Sequence, residues 1–78
     1  MQPTGHLLLS CEPSDAILFV DDRLQGSVAA LQKKPLVLPE GMHRLEFRRE
    51  GYFAHFSEVR LVKATKHRLE IKLRKEPY

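Results

Sequence analysis

Apolar and charged residues alternate along most of this chain. In "HRLEIKLRK" (His67–Lys75), Leu69, Ile71 and Leu73 share one side of an extended segment, and Arg68, Glu70, Lys72 and Arg74 share the other. A period of two residues marks a strand with one face buried and one in water. "MHRLEFRR" (Met42–Arg49) repeats it, with Leu45 and Phe47 inward and Arg44, Glu46 and Arg48 outward. "GHLLLSC" (Gly5–Cys11) aligns Leu7, Leu9 and Cys11. "AILFVDD" (Ala16–Asp22) is apolar on both faces, as in a central strand. "PLVLP" (Pro35–Pro39) is short, and "SEVRLVK" (Ser57–Lys63) turns Val59 and Leu61 inward. Phe53 and Phe56 have opposite parity, so a bulge or a strand start is expected near Ser57. Only "GSVAALQKK" (Gly26–Lys34) has helical character, enough for a turn or two and too short to be stable alone.

Turn chemistry falls between these runs, in "CEPSD", "DDRLQG", "REGY" and "KATK". Short strands broken by turns every ~8–12 residues predict an all-β fold. The expectation is a small single-domain β-sandwich of six or seven mostly antiparallel strands joined by tight turns. Its two sheets would face each other across Leu7, Leu9, Ile17, Phe19, Leu36, Leu38, Leu45, Phe47, Val59, Leu61, Leu69, Ile71 and Leu73. In "PEG", Pro39 presets φ for a type I turn and Gly41 accepts positive φ after it, which predicts a hairpin joining Leu36–Leu38 to Met42–Arg49. Glu40 then sits at the exposed tip.

The 78 residues make one small domain with room for one modest core. No apolar run approaches the ~20 residues that span a bilayer. The start, "MQPTGHLLLS", lacks the basic n-region and long apolar stretch of a signal peptide, so a full-length chain is expected in the cytoplasm and an excised domain leaves location open. The single cysteine excludes an internal disulfide and fits a reducing compartment. Charge is uneven. Residues 1–41 carry three Lys/Arg against five Asp/Glu, and residues 42–78 carry ten against five. A basic half either meets an anionic partner or solvates exposed strand faces.

At "LPEGMHRLEFRREGY" the chain resembles the PEGA domain family, named for its Pro-Glu-Gly-Ala-like turn. The further matches, "GHLLLSCEPSDAILFVDD", "QG", "PLVLPEGMHRLEF", "REGY" and "EVRLVKATKHRLEIKL", run in the family's order over about residues 5–74. Asp22 stands where the family has Gly, and Asp tolerates positive φ better than most residues. "SVAALQKK" is longer than the family's usual link. The resemblance implies a β-sandwich module over residues 5–75, with a flexible N-terminus at 1–4 and a tail at 76–78. It implies a structural or interaction role, as in bacterial or archaeal envelope and signalling proteins, and brings no catalytic residue, metal or cofactor.

Two functions follow as expectations. In the first, the chain is a non-catalytic adaptor or scaffold subunit that binds another protein, or a second copy of itself. It would use a sheet edge or the Ser27–Lys34 loop, with Ser27, Val28, Leu31, Lys33, Lys34 and Glu40 as contact residues. In the alternative, Arg44, Arg48, Arg60, Lys66, Arg68, Lys72 and Arg74 tile one exterior face that binds nucleic acid or another polyanion. Other chemistry is thin. Cys11 is in phase with Leu7 and Leu9, so it reads as a small core residue. None of His6, His43, His55 and His67 has a Cys or His two to four residues away, although His43 and His67 could meet across paired strands. The carboxylates alternate with Arg and Lys, as in cross-strand ion pairs. No nucleophile–base pair, phosphate loop or metal cluster is recognisable, so an enzyme is not expected.

Overall fold

The computed structural model describes residues 3–77. Seven strands and one helical turn follow in order: β1 (Thr4–Glu12), β2 (Ile17–Val20), β3 (Arg23–Ser27), α1 (Val28–Leu31), β4 (Leu36–Pro39), β5 (Gly41–Arg48), β6 (His55–Leu61) and β7 (Lys66–Lys72). They form a three-stranded sheet in the order β4-β1-β7 and a four-stranded sheet in the order β3-β2-β5-β6. The expected all-β sandwich is present. Every strand pair is antiparallel except β1 with β7, which is parallel from His6↔Lys66 to Glu12↔Lys72. The chain alternates between layers. Single strands β1, β4 and β7 make one sheet, and the hairpins β2–β3 and β5–β6 make the other.

That alternation overturns one expectation. "PEG" is not a hairpin tip. β4 pairs with β1, from Thr4↔Pro39 to Leu7↔Leu36, while β5 pairs with β2 and β6. Glu40 is the single residue between β4 and β5, so the motif is the corner where the chain changes sheets. Gly41 supplies the bend at φ +119°, which a β-carbon would strain. The Glu40 N–H donates to the Pro3 carbonyl at 3.0 Å and ties the corner to the start of β1. Pro and Gly set the local bend equally well in a hairpin or a corner. The partner strand decides between them.

The inner faces meet in one core. Leu7, Leu18, Leu45, Phe47, Leu61 and Val28 are fully buried, each stabilising the fold by roughly 1.5–3 kcal/mol of apolar burial. Two further expectations are corrected. Leu18 and Val20 point inward, and Ile17 and Phe19 point outward, half-buried. "ILFV" is apolar on both faces, so its pattern carries no phase. β3 is also a strand and not a loop. The turn before it places Asp21 (φ 50°) and Asp22 (φ 67°) in the left-handed region, as a two-residue hairpin demands. Gly5 marks a close approach between layers, because a β-carbon there would lie 3.0 Å from both Leu61 Cβ and the Val62 carbonyl oxygen.

Thr4 already pairs in β1, and the Glu76 N–H donates to the Gly51 carbonyl at 2.9 Å. Of the ends expected to be flexible, 1–4 and 76–78, residues 1, 2 and 78 lie outside the described residues. Among the described residues no helix is long and apolar enough to cross a membrane.

Candidate functional site

The outer face of the four-stranded sheet breaks the rule that strands turn polar residues to water. Register pairs Leu24 with Phe19, Phe19 with Glu46 and Glu46 with Phe56, which makes one row across all four strands. At ~4.8 Å per strand the row is roughly 14 Å long. Leu24 is 65% exposed and Phe56 61%, and Met42, nearby on β5, is 51% exposed. Glu46 lies at the centre, nearly buried, with its carboxylate accepting from Arg48 Nε. The Arg48 guanidinium also covers the Phe19 ring, 4.9 Å from its centroid. One arginine thus neutralises the central carboxylate and stacks on the neighbouring aromatic. Beside this row opens a cleft of about 640 Å³ lined by Asp15, Ile17, Phe19, Arg48, Arg49 and Tyr52. Arg49 is engaged there, its Nε donating to Asp15 Oδ2 at 2.9 Å.

The Ser27–Lys34 segment is built into the fold. Ser27 caps α1 by accepting from the Ala30 N–H at 3.3 Å. Val28 is fully buried and Leu31 packs against the core. Val28 is therefore out of reach of a partner, Leu31 is only half-buried, and Ser27 acts as a helix cap. The apolar spacing that made the segment look helical is the spacing that buries it. Lys33, Lys34 and Glu40 are exposed.

The seven basic residues do not share a face. Arg44 and Arg48 on β5 and Arg60 on β6 belong to the four-stranded sheet. Lys66, Arg68 and Lys72 on β7 belong to the three-stranded sheet, with Arg74 just beyond the strand. Outward positions of two packed sheets face away from each other, so the single basic surface expected from the sequence is divided in two.

Two of the histidines, His43 and His67, have hydrogen-bond partners. His43 Nδ1 lies 2.7 Å from Asp21 Oδ2, and its Nε2 lies 2.7 Å from the Pro39 carbonyl oxygen. Both neighbours are acceptors, so the doubly protonated ring satisfies both. Burial of the ring opposes the charge, but the Pro39 carbonyl and the Asp21 carboxylate outweigh it and raise the His43 pKa above its ordinary value. The Asp21 carboxyl is pushed down, first by the Arg44 N–H it accepts at 2.9 Å and then by His43. This clasp ties the β4–β5 corner to the β2–β3 turn. His67 does not meet His43. It lies on β7, in the other sheet, and its Nε2 accepts from the Val62 N–H at 3.2 Å. Cys11 is buried, and that burial, helped by the Asp15 charge, pushes its thiol pKa up. Such a thiol is held protonated and shielded from reagents.

Sequence reasoning missed the outward row and the Asp21–His43 clasp. The signal for the clasp was available: two consecutive Asp at a hairpin turn, and a His two residues past a corner glycine. The row required the phase of β2, which the sequence does not carry.

Compared with protein-family models the sequence matches none, and it matches no curated protein.

Proposed function

We propose that this chain is a non-catalytic protein-interaction module of the PEGA type, an adaptor or scaffold subunit that holds another protein on the outer face of its four-stranded sheet. The observation that carries the reading is the row Leu24–Phe19–Glu46–Phe56, exposed at its two apolar ends, half-buried at Phe19 and nearly buried at Glu46. Exposed apolar side chains gathered in one row mark an interaction surface more strongly than scattered ones do. Arg48, 60% exposed, lies over the middle of the row, and Arg44, 63% exposed, and Arg60 on β6 lie at its flank. The matching partner surface is apolar at its centre and acidic at its rim. The cleft beside Phe19 has the volume to take an anchoring side chain. The ordered motifs over about residues 5–74 support the PEGA assignment.

Affinity capture from the native host tests the reading, using wild type beside Phe19→Ser with Leu24→Ser and beside Lys33→Ser with Lys34→Ser. A specific partner is expected with wild type and with the lysine pair, and should be lost from the face variant. Equal capture by all three counts against the face.

A second reading keeps part of the polyanion hypothesis. Lys66, Arg68, Lys72 and Arg74 line the outward side of β7, interrupted only by Glu70, and none of the four forms an ion pair among the described residues. Four phosphate contacts give a log K against log salt slope of about −3 to −4. No binding to DNA, RNA or anionic vesicles at ~50 mM salt removes this reading.

A further inference from the structure

The four sheet edges differ in how far they resist a further strand. β4 is four residues long and ends at Pro39. β3 is five residues long and irregular, with a register shift opposite Leu18/Phe19 and Gly26 at φ +130°. β7 turns Lys66, Arg68 and Lys72 outward. Short length, proline, bulges and lysines are the features that keep edges from pairing. β6 is neither short nor bulged and has no proline, and the two charges it turns outward, Glu58 and Arg60, are of opposite sign. It runs seven residues, His55–Leu61, in unbroken register with β5, and among the described residues no strand pairs with its other side.

Its outward side chains are self-complementary. Antiparallel pairing of two copies about a two-fold axis normal to the sheet must set outward residues opposite outward residues. With the axis through Val59, Glu58 of each copy meets Arg60 of the other within the paired stretch Ser57–Leu61, and Phe56 lies opposite Val62, which is past the end of β6 with its N–H held by His67 Nε2. Phe56 is 61% exposed and Val62 52%. Shifting the axis by one residue sets Glu58 against Glu58 or Arg60 against Arg60, which is repulsive. Glu58 and Arg60 have no ion-pair partner within the chain among the described residues.

We propose that β6 is a homodimerisation edge, pairing with β6 of a second copy in the register that crosses at Val59 and so joining the two four-stranded sheets into one of eight strands. This surface is the strand edge. It shares Phe56 with the outer face assigned above to another protein, whereas Phe19 and Leu24 belong to that face alone.

Sedimentation velocity over a concentration series reads the outcome. Wild type should shift from the mass of one chain to that of two as concentration rises. Glu58→Arg alone and Arg60→Glu alone should each remain at one, because each sets like charges opposite one another twice. The double variant Glu58→Arg/Arg60→Glu should recover the dimer. An equimolar mixture of the two single variants should form a mixed dimer, since one then presents two arginines and the other two glutamates. Far-UV circular dichroism and melting curves confirm that the variants, changed only at exposed positions, remain folded. Wild type that stays monomeric, a single variant that still dimerises, or single variants that fail to pair when mixed overturns the proposal. Phe19→Ser/Leu24→Ser should dimerise as wild type does, so loss of partner capture and loss of self-association are separate results.

Discussion

The β2–β3 and β5–β6 hairpins lie side by side in one sheet, and their outer strands end that sheet in different ways. β3 is short and bulged, and α1 follows it directly and drives Val28 into the core. β6 is longer and regular, and among the described residues no strand covers its outer edge. The inner sides differ too. Leu61 of β6 is pressed against Gly5 of β1 with no room for a methyl group. One hairpin is thus closed off by its own connection. The other is fixed firmly from beneath and left open at its rim, as a strand that recruits something must be.

The largest test removes the buried side chain that each hairpin contributes. Phe47→Ala on β5 should cost about 3–5 kcal/mol, and Leu18→Ala on β2 about 2–5 kcal/mol, measured by denaturant unfolding. Either is a large share of the whole stability of a domain this size. A tolerated Leu18→Ala would break the comparison, since β2 would then not be anchored through its inner face. Gly5→Ala comes next, at about 1–3 kcal/mol, because the layers must separate under β6. If it is neutral, β6 is held less firmly than its geometry indicates.

The clasp between the hairpins is smaller in effect and depends on pH. His43→Gln should cost about 1 kcal/mol near neutral pH. The folded-state pKa of His43 is raised above the ordinary 6.5. Its contribution is therefore fully present below that value and is lost as pH rises through the raised one. Asp21 is lowered below 3.8, so its contribution is present above that value and fades as pH falls through the lowered one. Wild type and His43→Gln should accordingly converge in melting temperature on the alkaline side, and a constant gap to high pH would remove the charge from the account. Smaller again is Phe56→Ser, expected within about 0.5 kcal/mol of wild type in stability. Its effect should appear in association. Smallest is Glu40→Gln, with no measurable change in unfolding, because only the backbone of Glu40 is engaged.

Strand positions were legible wherever one face is charged. Arg44, Arg48 and the Lys66–Lys72 alternation fix the phase of β5 and β7 without help from the rest of the fold. β2 was not legible in phase, because four apolar residues in succession fit either orientation. β3 was invisible, since "RLQGS" has no alternation and is held in place by the positive-φ turn before it. The "PEG" corner was misread because Pro39 and Gly41 encode a bend, while the sheet that receives the next strand depends on pairing with residues more than thirty positions away. The exposed row needed all three of these at once. The division of the basic residues likewise follows from topology, which assigns β5 and β6 to one layer and β7 to the other.

The parallel pairing of β1 with β7 has a mechanical consequence. A chain entering at Thr4 and leaving past Lys72 does so at opposite ends of that strand pair. Tension between the two flanks pulls the strands past each other along their length, so all the hydrogen bonds from His6↔Lys66 to Glu12↔Lys72 are loaded together and not opened one at a time. Under stretching force the domain should hold until those bonds fail as a group, and behave as a stiff link in whatever assembly it joins.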